Sequence, residues 1–420
     1  MKARSPERAQ TTALLKNRSF CRLWAAQFTT ITVVYGLGLT GAVLVEESTH
    51  SSAQTGLVIL SAILPSFLAS LISGAVVDRW GRKRVLIASQ LARALVALAF
   101  WGGSKFLPPN LALITALGVN FASAIFTQFA MPAELSLLPD LVEREQLLSA
   151  NALFQLSSLA GEGLGIIFLS PLLIKLFGIP AVGLVGAILC LTAVVLVATL
   201  PNDRPVAIEP GDHWAPASVW RDMRADLRDG WLTISRDRLL SLVAIQATFA
   251  ATLLLVLLSL VPGLLSRHMG LGVEDAPLLM LPGGLGFALG AFLMTRWEKR
   301  LRRPVWIAIG LAGLGGCLCL LSLSSREAGR LWLVLLPILG VGIALALVII
   351  PARVILQERP PAAMRGRVIA AQLALANAAA IIPLLIGGSL ADHLGIQPVM
   401  GLLGLMAIGA GVIGLRVVWG

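Results

Sequence analysis

Residues 177–200 read FGIPAVGLVGAILCLTAVVLVATL and contain no charged side chain. A helix rises about 1.5 Å per residue, so a run of this length crosses a hydrocarbon core of roughly 30 Å. It lacks the apolar–polar alternation of a spanning strand. Outward from it in both directions lie eleven more stretches of the same character, at 22–45, 54–77, 84–104, 109–133, 147–170, 239–266, 277–296, 304–324, 330–352, 367–390 and 396–418. The reading is an all-α membrane protein with twelve transmembrane helices. Composition agrees. Of 420 residues, 57% are hydrophobic and 13% charged, where a soluble chain carries about 25% charged.

The net charge of +11 invites a nucleic-acid partner, but its placement argues against one. With the N-terminus inside, 27 of the 33 Lys and Arg fall on cytoplasmic segments. Five (Lys105, Lys175, Arg267, Arg326 and Arg330) fall outside, and Arg93 lies within a span. That asymmetry is the positive-inside rule. Both termini are therefore expected in the cytoplasm, in a bacterial-type inner membrane. The excess basic charge is expected to meet anionic lipid. Residues 1–20 are polar and basic and the first apolar run is too long for a signal h-region, so no cleavable signal is expected.

Several chemistries are excluded. The four cysteines form no disulfide pattern, and Cys317-x-Cys319 has no accompanying His or carboxylate, so no metal site is expected. No Gly-x-x-x-x-Gly-Lys loop is present, which argues against direct ATP drive. His50, His213, His268 and His393 fall in loops or at span ends, which rules out a mid-membrane histidine relay. No Ser-His-Asp or paired-carboxylate arrangement is evident within the spans. Neither an enzyme nor a cofactor is expected.

The longest polar stretch, 201–238, divides the spans into two groups of six. The expected organisation is a six-helix bundle over 1–200, a cytoplasmic linker over 201–238 and a second bundle over 239–420. Within the linker, Trp220, Met223, Leu227, Trp231 and Ile234 recur at steps of three and four, with charges between them. That spacing predicts an amphipathic helix on the inner membrane surface. The halves read as copies. Met131-Pro-Ala and Ile350-Pro-Ala stand 219 residues apart; Leu176-Phe-Gly-Ile and His393-Leu-Gly-Ile, like Asp78-Arg-Trp and Thr295-Arg-Trp, stand 217 apart. A parallel repeat implies a pseudo-two-fold axis along the membrane normal, with a crevice between the halves.

The sharpest motif is Gly74-Ala-Val-Val-Asp78-Arg79-Trp80-Gly81-Arg82-Lys83, between the second and third spans. Gly74 permits close helix approach, and Gly81 suits a tight turn with positive φ. Asp78 can pair with a cation or a helix N-terminus, while Arg79, Arg82 and Lys83 suit anionic headgroups. The motif resembles the signature of the major facilitator superfamily, a Gly, three residues, then Asp-Arg-x-Gly-Arg-Arg. The likeness covers nearly the whole chain. It is nearest to the branch of macrolide-efflux-like and enterobactin-exporter-like proteins. Asn17-Arg18-Ser19-Phe20, Leu138-Pro139-Asp140-Leu141-Val142, Leu148-Ser149-Ala150-Asn151 and Arg365-Gly366-Arg367-Val368 resemble that branch. The resemblance implies the twelve-helix fold, a loop at Gly74–Lys83 that locks the outward-facing state, and proton-driven export of drugs or siderophores.

There are departures. Exporters often carry Gly-Pro in the fifth span, where this chain has Gly161-Glu162-Gly163-Leu164-Gly165. The basic signature often found in the fourth span is absent from 111–130. Glu162 then stands out, because an ionised side chain at mid-bilayer costs about 2.5–3.5 kcal/mol. It is the candidate proton-coupling or cation-recognising group; the alternative is a structural acid, neutral or paired with Arg93. At an offset of 219, Glu134 maps to Arg353 and Asp140 to Arg359. Residues related by the axis share a depth, so Glu134–Arg353 and Asp140–Arg359 are the candidate inner gate. The polar residues Gln27, Tyr35, Asn120, Gln128, Asn151, Gln155, Gln246, Gln372 and Asn377 are the candidate cavity lining, which favours a small amphipathic or lipophilic substrate. The competing reading is a non-transporting assembly factor or subunit of a larger membrane complex on the same fold.

Overall fold

A computed structural model describes residues 14–143, 146–201, 216–272, 275–297, 301–323, 332–361 and 364–419. The side chains of 64, 67, 68, 70–72, 74, 75, 78, 148, 216–223, 268, 295, 418 and 419 are excepted. Among the described residues there is no strand. In chain order the helices are α1 (Arg18–Thr49), α2 (Ser52–Trp80), α3 (Arg82–Phe106), α4 (Ala112–Leu141), α5 (Leu147–Gly163), α6 (Ser170–Phe177), α7 (Ile179–Ala198) and α8 (Pro216–Arg236). They continue as α9 (Arg238–Gly263), α10 (Ala276–Trp297), α11 (Arg303–Leu323), α12 (Trp332–Glu358), α13 (Arg365–Leu394) and α14 (Ile396–Trp419). One wide π-turn, Leu164–Leu169, joins α5 to α6, and another, Leu264–Met269, follows α9. Among the described residues, eleven helices are long and apolar enough to cross a membrane. The remaining expected span, 54–77, lies within α2.

Two compact units result. The first comprises Met1–Ser48 and Val58–Pro216, the second Thr49–Leu57 and Ala217–Gly420. In the first, α3 packs against α4 and α7; in the second, α11 packs against α12 and α14. The repeat extends to the turns. Gly178 (φ 81°, ψ 169°) separates α6 from α7, and Gly395 (φ 90°, ψ 160°) separates α13 from α14. A Cβ is strained at such angles, so the same residue type recurs at the same corner of both units.

Two expectations shift. The fourth span was expected to end at 133 with Glu134 and Asp140 beyond it, but α4 runs on through Pro132 to Leu141. Proline removes a hydrogen bond without ending this helix, and the Ser136 hydroxyl donates to the Pro132 carbonyl (2.6 Å). Glu134 is therefore a helical residue, 7% exposed. The linker helix α8 forms, but Leu227 and Ile234 pack into a core with Val368 and Ala371. Arg367 pairs with Asp226 (2.8 Å) and Asp229 (3.0 Å). The apolar face of α8 is thus seated on α13 of its own unit, leaving Trp231 exposed. Residues 202–215 lie outside the described residues.

Candidate functional site

The first unit holds a cavity of about 220 Å³. Helix α1 contributes Gln27, Thr30 and Tyr35; α3 contributes Arg93; α4 contributes Glu134; α5 contributes Gln155, Ser158 and Glu162. Apolar wall is supplied by residues such as Ile31 and Phe154. Helix periodicity explains the convergence: Gln155, Ser158 and Glu162 stand at steps of three and four on one face of α5. Glycine explains how closely α5 approaches α1. A Cβ at Gly165 would collide with the Thr32 carbonyl, and one at Gly161 would press on the Phe28 carbonyl and the Thr32 hydroxyl. The two glycines are one turn apart and let the backbones touch, while Glu162 between them lines the cavity.

The amide end of the cavity is tightly bonded. Gln27 Nε2 donates to Ser158 Oγ (2.7 Å) and to the Phe154 carbonyl (3.3 Å), while Ser157 Oγ donates to Gln27 Oε1 (2.8 Å). Thr30 Oγ1 lies 3.0 Å from Gln90 Oε1, which Arg93 Nη1 also approaches at 3.5 Å. Arg93 is 5% exposed and lines the cavity together with buried Glu134. Arg93 shares this lining with both Glu134 and Glu162. Glu162 is half-buried and lines the cavity with Tyr35.

Of the expected lining, Gln27, Tyr35 and Gln155 meet here, with Glu162 and Glu134. Asn120 is buried elsewhere, its Nδ2 3.5 Å from the Val58 carbonyl. Gln128 is half-buried outside the lining, and exposed Asn151 donates to Leu147 of its own helix (2.8 Å). In the second unit Gln372 and Asn377 are half-buried on α13, and Gln246 is buried on α9.

Sequence reading overlooked a signal here. Leu23-x-Ala25-x-Gln27-x-Thr29 recurs as Leu242-x-Ala244-x-Gln246-x-Thr248, again 219 residues on. The two amides are equivalent but differently served. Among the described residues, Gln246 Oε1 and Nε2 and the hydroxyls of Thr248 and Thr252 have no hydrogen-bond partner. It also overlooked Asp392, which accepts from the Ser51 hydroxyl (2.7 Å), the Ser52 amide (2.7 Å), the Ala53 amide (3.1 Å) and Arg267 (3.1 Å). These contacts hold the first turn of α2 within the second unit.

The loop between α2 and α3 turns at Gly81 (φ 86°). Arg82 Nη1 donates to Asp140 (2.7 Å) and to the Ser136 carbonyl (2.9 Å), and Lys83 Nζ to the Leu200 carbonyl (2.5 Å). These two cations brace the ends of α4 and α7, whereas headgroup contact was expected; Arg79 is exposed. The side chain of Asp78, and Gly74, lie outside the described side chains. The residues of the expected gate are engaged within their own units. Asp140 is held by Arg82 (2.7 Å) and Arg359 by Asp237 (2.6 Å); Glu134 lines the cavity with Arg93, and Arg353 is exposed. Asp237 also caps α9 through the amides of Leu239 and Leu240 (2.9 and 3.1 Å). Burial opposes its ionisation, but the Arg359 bond and the two amides outweigh it, so its carboxyl sits below the ordinary carboxylate value.

Comparison with known proteins follows the same lines. The family model described as Major Facilitator Superfamily matches residues 23–383 and 285–420. The enterobactin exporter EntS of Salmonella choleraesuis (strain SC-B67) is 31% identical over 154 residues, 36% of this chain and 36% of that protein. EntS of Shigella boydii serotype 18 is 32% identical over the same shares. The match thus spans about a third of those relatives' length. Among solved structures, the nucleoside transporter NupG superposes with TM-score 0.72 at 14% identity, covering 95% of this chain and 98% of that one. The xylose transporter XylE from E. coli, in an inward open conformation, gives 0.68 at 15%, covering 95% and 96%. At these identities the likeness shows the fold.

Proposed function

We propose, from the premise that this chain belongs to the Major Facilitator Superfamily and is an integral membrane transporter, that it exports a small amphipathic compound in exchange for protons. The observation that carries this reading is the cavity of the first unit, which gathers Arg93, Glu134 and Glu162 among apolar spans. Ionisable groups at such depth are expensive and are retained where they bind or move charge. At about 220 Å³ the cavity is smaller than the 300–1,000 Å³ usual for a drug-sized ligand. It therefore takes one polar end of a larger substrate. Amide, hydroxyl, guanidinium and carboxylate groups face that end, and Ile31, Met131 and Phe154 face its apolar part. The partial match to enterobactin exporters supports the outward direction and a siderophore-like or drug-like substrate.

In the proposed cycle Glu162 takes up and releases the proton. Glu134 and Arg93 hold the cavity's charge balance, so substrate and proton exclude one another electrostatically. Asp78 and its loop, and the pairs Glu134–Arg353 and Asp140–Arg359, are the contacts that exchange with the present ones as the transporter changes state. The test uses everted membrane vesicles carrying an imposed pH gradient. Addition of enterobactin, macrolides and other amphipathic compounds should reveal one that discharges the gradient with wild-type protein and not with empty vesicles. Discharge by none of them, together with stable co-purification of other membrane subunits, would instead favour the assembly-factor reading.

A further inference from the structure

The second unit carries a larger cleft than the one just described, of about 630 Å³, where α9 begins. Arg236, Arg238, Arg302 and Arg359 surround it, with Asp237 as the one carboxylate in its lining. That carboxylate is already committed. One oxygen accepts two α9 amides and the other takes Arg359 at 2.6 Å. Among the described residues, Arg236, Arg238 and Arg302 have no carboxylate partner. Three guanidinium groups therefore border one concavity without a carboxylate partner among the described residues. All three are exposed, yet they come from three places: the last residue of α8, the first of α9 and the residue before α11.

The floor of the cleft is different in kind. Leu242 of α9 and Val417 of α14 line it. Ile245 and Ile413, one turn further into the membrane, are each 61% exposed. The helices are in close contact beside them, since a Cβ at Gly414 would collide with the Gln246 amide. A charged mouth thus stands beside exposed apolar side chains at the helix ends that the positive-inside rule places in the cytoplasm. A guanidinium fork matches phosphate oxygens in geometry as well as charge.

We infer that this cleft is a binding site for an anionic glycerophospholipid, its phosphate among Arg236, Arg238 and Arg302 and one acyl chain along Ile245 and Ile413. Charge complementarity selects an anionic headgroup over a zwitterionic one, and the apolar floor selects a lipid over a free anion. The site is independent of the transport cavity, which lies in the other unit.

Wild type, an Arg238→Gln/Arg302→Gln double variant and an Arg84→Gln control, which removes an exposed arginine of the first unit, are purified in mild detergent. Native mass spectrometry reads bound lipid, and thermal unfolding is followed with phosphatidylglycerol, phosphatidylcholine or inorganic phosphate added. Wild type and control should retain phosphatidylglycerol and gain stability from it over phosphatidylcholine. The double variant should fold and lose most of the retained lipid and the differential gain. Equal retention by the double variant and wild type would overturn the site. Stabilisation of wild type by inorganic phosphate alone, matching that by phosphatidylglycerol, would overturn the lipid assignment.

Discussion

The two units share a frame and differ in what they bury. Each begins its third helix with an arginine bonded to the end of its fourth: Arg82 to Asp140 in the first, Arg303 to Glu358 in the second. Each turns its last corner on a glycine near φ 80–90°. At the cavity of the first unit they diverge. The first unit has Tyr35, Arg93 and Glu162, where the repeat offsets put Leu254, Gly310 and Ile381 in the second. Gln27 is fully bonded, while its counterpart Gln246 has neither amide atom paired among the described residues. The lesson is that the duplicated scaffold is maintained by turns and end-braces, whereas Tyr35, Arg93 and Glu162 have non-ionisable counterparts in the second unit.

The sharpest way to break this comparison is to unbalance the buried charges. Removing one member of a buried charge pair typically costs about 3–5 kcal/mol. Arg93→Met should therefore lower the thermal unfolding midpoint strongly, and Arg93→Met with Glu134→Leu should recover much of the loss without recovering transport. If the single variant is as stable as wild type, the two charges do not compensate one another.

Next in size is the glycine contact that sets α5 on α1. Gly165→Leu should cost about 1–3 kcal/mol by overpacking, while Gly163→Ala, at a position with open space, should be nearly silent. The same unfolding assay separates them.

In the second unit, Asp237→Asn keeps an oxygen to cap α9 but removes the charge that holds Arg359, and should cost about 1 kcal/mol at neutral pH. The sign follows from its carboxyl lying below the ordinary value. The folded state favours the charged form, so the contribution is complete above the unfolded value, about 3.9. It is lost as pH falls through the lower folded value. The gap between wild type and Asp237→Asn should therefore close on acidification below about pH 4.

The smallest effect is expected at the two end-braces, where exposed pairs contribute about 0–1 kcal/mol. Arg82→Gln should be the more costly of the two. Its pair is less exposed (24% and 30%) than Arg303–Glu358 (34% and 63%), and it also loses the Ser136 carbonyl. Salt titration of unfolding midpoints reads both.

Much of the fold was legible because its signals are long. Uncharged runs of 20 residues or more announce spans, and repeated corners such as Leu176-Phe-Gly-Ile and His393-Leu-Gly-Ile announce the duplication. The cavity was legible at Gln27, Tyr35, Gln155 and Glu162, because polar groups in apolar helices have few other reasons to be there. Glu134 was misread, since Pro132 looks like a span end and only neighbouring bonds show that the helix continues. The end-braces were equally hidden. Asp140 and Arg359 carry opposite charges at equivalent positions, which suggested a mutual pair. Their nearer partners, Arg82 and Asp237, come from other helices of the same unit and leave no periodic trace.

The central claim, that proton coupling resides in the first unit at Glu162, is tested most directly by measuring transport in everted vesicles against external pH for wild type and Glu162→Gln. The account predicts that wild-type uptake rises with the imposed pH gradient and that Glu162→Gln, still folded and still binding substrate, shows no such dependence. A Glu162→Gln protein whose uptake follows the gradient as steeply as wild type would contradict it.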